Sequence, residues 1–253
     1  MIHTELTEKA LIIAKKAHAG QVDKVGKPYI EHPINVAEKM NDELSVCVAL
    51  LHDVVEDGGV TYDELAEEGF PEPVIEAVKL LTRDKSVSYT DYLERIKNSG
   101  NEMAIYVKLA DMLHNADSSR YKIIDEEAKE RTQKYVEAII KLCNLSPFHY
   151  PNRIYLFTDD AMTVTAMFTF HCLTVSSDIS DYAMGFSSEQ QLEIRGGELN
   201  KFLKAIGVDG NNIEDIFERI KVLMKIREAA PTISDIERIA SQNGIRFEKL
   251  HMY

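Results

Sequence analysis

Between Val46 and Asp57 an apolar run, Val46, Val48, Ala49, Leu50, Leu51, Val54 and Val55, is interrupted by His52, Asp53, Glu56 and Asp57. The apolar spacing predicts a buried helix over residues 43–56. On such a helix His52 and Glu56 share one face, and Asp53 and Asp57 share another. Burying an imidazole and several carboxylates against a hydrophobic core is costly unless an opposite charge compensates them, and a divalent cation does this best. The fold is therefore expected to bring further ligands to this stretch.

The surroundings of that run read as helix after helix. Leu6, Ala10, Ile13, Ala14 and Ala17 recur at helical spacing and Gly20 ends the element. A loop follows, broken by Gly26 and Pro28, and His32 stands just before Pro33, which is predicted as the first residue of a helix through Met40. Thr61 and Glu64 form a capping box, residues 71–81 make a further helix, Ser88 and Asn101 are N-cap candidates, and residues 126–142 close the series. The helix after Asn101 carries Asp111 and Asn115. Near Ser146 the composition changes, with Pro147 and Pro151 marking a boundary. The chain is thus read as mainly α: an all-helical domain over 1–147 and a small α+β domain over 152–253. In the latter, residues 153–157 and 163–175 are strand-like, 197–206, 213–226 and 233–242 helical, and 245–252 strand-like.

The net charge of −13 argues against nucleic acid or an anionic membrane as partner. It leaves room for a small anion held by local lysines or a metal. Cys47, Cys143 and Cys172 are far apart and lack metal-ligand spacing, so they read as reduced thiols of a cytoplasmic protein. The opening residues show no signal-peptide pattern, and no apolar run reaches membrane-spanning length.

The remaining ligands can be sought among polar residues at helix starts and on apolar helices. His32, the adjacent His52 and Asp53, and Asp111 are the candidates. Two imidazoles and two carboxylates suit Mn, Fe, Co or Zn better than Mg or Ca. Neighbouring helical residues diverge by about 100°, so His52 and Asp53 share one ion only if it lies between their directions.

These residues match the H…HD…D pattern of the HD superfamily of metal-dependent phosphohydrolases. Four further words, Ala17-His18-Ala19-Gly20-Gln21, Gly26-Lys27-Pro28-Tyr29-Ile30-Glu31-His32-Pro33, Leu50 to Asp57, and Val107 to Asn115, resemble the hydrolase domain of the RelA/SpoT family over about residues 5–145. That resemblance implies a guanosine-3′,5′-bis(diphosphate) 3′-pyrophosphohydrolase, which removes the 3′-pyrophosphate of ppGpp with manganese. Nothing after Ser146 resembles the family's synthetase domain. The resemblance implies His32, His52, Asp53 and Asp111 as metal ligands, Glu56 and Asp57 as the pair that orients and activates water, and Asn115 as lining the nucleotide site. Lys24, Lys108 and Arg120 are read as phosphate contacts or as a solvated face.

One departure stands out: the family's Gly-Gln loop usually carries an Arg two residues after the Gln, and here that residue is Asp23, followed by Lys24. Either Lys24 takes over the anion contact or the substrate carries less charge there. The alternatives are an HD-domain phosphohydrolase of another nucleotide or phosphoester, and a non-catalytic nucleotide- or metal-binding regulator. His18 is read as structural, and His3, His114, His149, His171 and His251 as surface or core residues without a site role. The strands of the second domain could pair across a two-fold axis in a homo-oligomer, cover the cleft, or bind a regulator.

Overall fold

A computed structural model describes residues 1–117, 120, 126–143, 154–157, 163–169, 172–176, 191–194, 197–208, 216–230 and 233–250. Contacts divide the chain into two compact units, Met1–Leu145 and Ser146–Tyr253. The described residues of the first unit form helices α1 (Glu5–Ala17), α2 (Glu31–Ala37), α3 (Glu43–Leu51), α4 (Tyr62–Glu67), α5 (Glu72–Leu81), α6 (Tyr89–Asn98), α7 (Glu102–Ala116) and α8 (Glu126–Leu142). No strand longer than the isolated bridge Val22–Pro28 occurs among them. No helix of the described residues is long and apolar enough to cross a membrane.

Helix starts follow local chemistry. Thr4 and Thr7, and Thr61 and Glu64, form reciprocal caps at α1 and α4. The side chains of Asp42, Ser88 and Asn101 accept the N–H groups of Ser45, Asp91 and Ala104 at α3, α6 and α7, satisfying donors that a helix cannot pair internally. Helix α3 is the hub: Ser45 to Leu51 are all buried, and it packs against α1, α2, α5 and α7.

Three boundaries differ from the sequence expectation, one of them the end of α2, which closes at Ala37 instead of Met40. Helix α3 ends at Leu51, with His52 as its C-cap, instead of running to Glu56. The chain tightens there: Val54 N–H bonds back three residues to Leu51 O, and Val60 N–H closes onto Val54 O. Helix-like bonds persist from Asp57 N–H to Asp53 O and from Gly58 N–H to Val54 O. Helix α2 begins at Glu31, so His32 and Pro33 are its second and third residues. A proline costs no hydrogen bond anywhere in the first turn, because those N–H groups have no helical partner. The preceding turn, Glu31 N–H to Pro28 O and His32 N–H to Tyr29 O, sets the start.

The second unit holds β1 (Ile154–Phe157), β2 (Thr163–Thr169), β3 (Cys172–Ser176), β4 (Gln191–Ile194), α9 (Gly197–Ala205), α10 (Ile216–Ala229), α11 (Ile233–Gln242) and β5 (Glu248–Leu250). The sheet order is β3-β2-β1-β4-β5, antiparallel except for the parallel β1–β4 pair. The single strand expected over 163–175 is two strands in antiparallel register, Thr169 opposite Cys172. Strand β4 was not anticipated. Leu199, Phe202, Leu203, Ile226, Ile236 and Ala240 lie in this unit's core. His149, His171 and His251 fall outside the described residues.

Candidate metal centre

Three elements meet at the site: the start of α2, the turn after α3 and the middle of α7. His32 Nε2 lies 3.2 Å from Asp111 Oδ1 and 3.8 Å from Asp53 Oδ2, and His52 Nε2 lies 3.1 Å from Asp53 Oδ2. One ligand atom from each of His32, His52 and Asp53 falls within 4.8 Å of the others. The demand that adjacent His52 and Asp53 converge is thus met, with His52 as a helix cap at φ −60° and ψ −30°. His32, His52 and Asp111 are buried and Asp53 is partly so.

The polar groups around these four are arranged for a cation. His52 Nδ1–H donates to Ala49 O at 2.7 Å, which leaves the lone pair on Nε2. That nitrogen is buried without a hydrogen bond, near Asp53 Oδ2 but off the line of one. Burial by itself would lower the His52 pKa, yet the Asp53 and Asp111 carboxylates raise it to about 9. The carboxylates therefore call for positive charge at this point, which a proton or a metal ion supplies. Burial would likewise raise Asp53 and Asp111, but His52 on one and Lys108 and His32 on the other hold both well below the usual carboxylate range. The N₂O₂ donor set fits a divalent transition metal.

Outside the four, Tyr29 O–H donates to Asp53 Oδ2 at 2.6 Å, and Asn115 Nδ2 donates to Asp111 Oδ1 at 2.5 Å. Lys108 Nζ contacts Asp111 Oδ2 at 2.7 Å and lies over the Tyr92 ring. Lys108, expected as a phosphate contact or a solvated residue, is partly buried and paired with Asp111 instead. Arg120 reaches Asp23 Oδ2 at 2.7 Å and the His114 carbonyl at 3.0 Å. This answers the departure at position 23 in a way the sequence did not suggest. Asp23 is not left beside the site as an uncompensated charge: its other oxygen accepts the N–H groups of Val25 and Lys27, and Arg120 neutralises it. Lys24 is exposed on the same loop.

Glu56 is half-buried, one turn beyond His52, and its Oε2 accepts Arg83 N–H at 3.0 Å. Asp57 is exposed, and its carbonyl accepts Gln21 Nε2 at 2.9 Å, which ties the Asp23 loop to the acidic turn. His18 is buried, hydrogen-bonded to Gln21 and packed on the Tyr29 ring, a structural role. His114, read from sequence as having no site role, is a correction. Its Nδ1 is 2.7 Å from His32 Nδ1, and burial, His32 and Arg120 push its pKa down to about 4. Tyr29 and His114 were both missed as neighbours of the ligands. The available signal was spacing on α7, where His114 stands three residues after Asp111 and so faces the same way.

The family model of the HD domain matches residues 10–140. The chain belongs to the HD-domain family. HD domains depend on a divalent metal, in keeping with the His/Asp cluster built here. Among named relatives, the HD stretch is 33% identical over 142 residues to "Guanosine-3′,5′-bis(diphosphate) 3′-pyrophosphohydrolase" of Aquifex aeolicus, covering 52% of this chain and 20% of that protein. It is 34% identical over 120 residues to "Bifunctional (p)ppGpp synthase/hydrolase SpoT" of Escherichia coli K12, covering 42% and 17%. It is 32% identical over 150 residues to "Probable GTP pyrophosphokinase" of Mycobacterium leprae, covering 55% and 19%. The chain thus spans about a fifth of the length of these relatives.

Proposed function

We propose that this HD domain, residues 1–147, is a manganese-dependent hydrolase that converts ppGpp and water to GDP and pyrophosphate. The observation that carries this reading is the intact Glu56–Asp57 pair on the turn beyond His52–Asp53, within the stretch shared with a protein named for that reaction. Water attacks the phosphorus bound to the 3′ oxygen, the bond from that phosphorus to the 3′ oxygen breaks, and the 3′ oxygen of the departing GDP takes up a proton. His32, His52, Asp53 and Asp111 would hold a divalent ion, whose charge would polarise the phosphoryl group and make water more acidic. Glu56, fixed at one oxygen by Arg83 N–H, accepts the proton of the attacking water, and Asp57 orients it. Asn115 and Lys108 hold Asp111 in place. Lys24 is an exposed cation on the loop, available to a phosphate. The buried free thiols Cys47 and Cys143 suit a reducing cytoplasm.

The lack of an arginine at position 23 leaves a second reading, the same chemistry on another nucleotide or phosphoester. Assaying the purified chain with Mn²⁺ against a nucleotide panel separates the two. The expected result is pyrophosphate release from ppGpp, a loss of about 10²–10⁴-fold in Glu56→Gln, and no activity in Asp53→Ala. Turnover of some other nucleotide alone selects the second reading. Equal activity of Asp53→Ala and wild type rejects the metal mechanism.

A further inference from the structure

We propose that His114 is a positioning residue for His32, and that Arg120, anchored by Asp23, fixes the tautomer in which it acts. The inference rests on His32 serving as a metal ligand. His32 Nδ1 and His114 Nδ1 are 2.7 Å apart, so one of the two nitrogens carries the shared hydrogen and the other accepts it. An imidazole can take either part, and the pair alone leaves the choice open. Arg120 decides it. Its Nη1 lies 3.1 Å from His114 Nδ1 and 3.0 Å from the His114 carbonyl oxygen. A guanidinium only donates, so His114 Nδ1 must present a lone pair. The hydrogen then sits on His32 Nδ1, and the His32 lone pair is on Nε2, the atom that lies 3.2 Å from Asp111 Oδ1.

The contrast with His52 shows why the extra residue is needed. His52 is backed by the Ala49 carbonyl, which can only accept, so its tautomer is fixed by the backbone. His32 is backed by a side chain that can both donate and accept, and a cation on the far side removes the ambiguity. Arg120 is in turn held by Asp23 at 2.7 Å, and Asp23 closes its loop by accepting the N–H groups of Val25 and Lys27. Asp23 is thus the end of a chain of contacts, Asp23 to Arg120 to His114 to His32, that fastens the Gly20-Gln21 loop to a metal ligand. Helix α7 contributes a metal ligand, Asp111, the residue that backs His32, and the amide of Asn115 from one face.

The test is Mn²⁺ affinity of the full chain without nucleotide, followed by electron paramagnetic resonance of the free ion. His114→Leu is expected to weaken binding by about 10- to 100-fold, and His114→Gln, whose amide oxygen can accept from His32, to recover most of it. Arg120→Met, which frees the tautomer but leaves the ring, is expected to weaken binding by less. Nitrogen-15 spectra of the Zn²⁺-loaded wild type should show His32 protonated at Nδ1 and His114 unprotonated at Nδ1. A proton on His114 Nδ1, or wild-type affinity in His114→Leu, overturns the proposal. If His114→Leu loses its helical circular dichroism, the ring spectra and Arg120→Met decide. Asp53→Ala separates the two layers: lost binding there with full binding in His114→Leu sinks the positioning role alone, whereas retained binding in Asp53→Ala sinks the metal site and this role with it.

Discussion

Asp111 is held through both carboxylate oxygens. Its Oδ1 takes Asn115 Nδ2 at 2.5 Å and faces His32 Nε2 at 3.2 Å, while Oδ2 takes Lys108 Nζ at 2.7 Å. Both Asp111 and Lys108 are largely out of solvent, at 7% and 13% side-chain exposure. Burial alone would lower the Lys108 pKa, but Asp111 holds it well above the usual lysine value, so the pair is ionised. Removing one member of such a pair leaves a buried charge uncompensated and typically costs about 3–5 kcal/mol. Lys108→Gln is therefore expected to lower the unfolding free energy of the metal-free protein by about that amount. The metal-loaded protein should lose less, because the ion also compensates Asp111. Denaturant unfolding with and without Mn²⁺ checks this. An unchanged midpoint in both, together with a raised KM, would instead make Lys108 a phosphate contact.

At the level of elements, what the sequence made legible is what neighbouring residues decide. The caps at Thr61, Ser88 and Asn101 start α4, α6 and α7 where their side chains reach the next N–H groups. His32, His52, Asp53 and Asp111 were legible as a set because their types announce a cation. The parts that escaped depend on distant partners. Tyr29 finds Asp53 across 24 residues and His114 finds His32 across 82, and no local pattern around either residue names that partner. Strand β4 is four residues long, with parallel β1 as a partner far back in the chain. The seating of the turn after α3 depends on a distant partner too. A Cβ on Gly58 would lie 2.6 Å from Ala17 Cβ and 2.7 Å from Val54 O, so the turn after His52–Asp53 sits against α1 only because that residue has no side chain. Gly58→Ala is expected to cost about 1–3 kcal/mol through overpacking, seen as a lower Tm. Adding Ala17→Gly should restore part of the loss, since it removes one of the two collisions. An unaltered Tm in the single variant would mean that the turn shifts freely.

Across the whole molecule the two units differ in what their interiors hold. The first buries ionisable groups: burial pushes the Cys47 and Cys143 thiols from 9.0, and the Tyr92 and Tyr135 phenols from 10.0, up to about 12. The described core of the second, from Ile194 through Phe202 and Ile226 to Ile245, is apolar, and the buried carboxylate beside it, Glu198, is paired with Lys201 and Arg246. A group whose pKa is raised on folding is protonated in both states below its unfolded value, so its contribution there is constant. Above that value the unfolded chain gains stability by losing the proton while the folded one cannot, and the contribution disappears as pH rises through the folded value. All four groups act in this direction, so beyond the loss that His52 contributes between about pH 6.5 and 9 in the metal-free protein, they should draw the first unit's stability down progressively from about pH 9 toward about pH 12. Cys47→Ala with Cys143→Ala should delay the onset to the phenol range, near pH 10. Because each unit has its own core, alkaline unfolding should be separable. Hydrogen exchange mapped by mass spectrometry is expected to show α3 losing protection at lower pH than α11. Simultaneous loss in both helices would mean that the units unfold as one cooperative body, and that the interior chemistry of the first governs the whole chain.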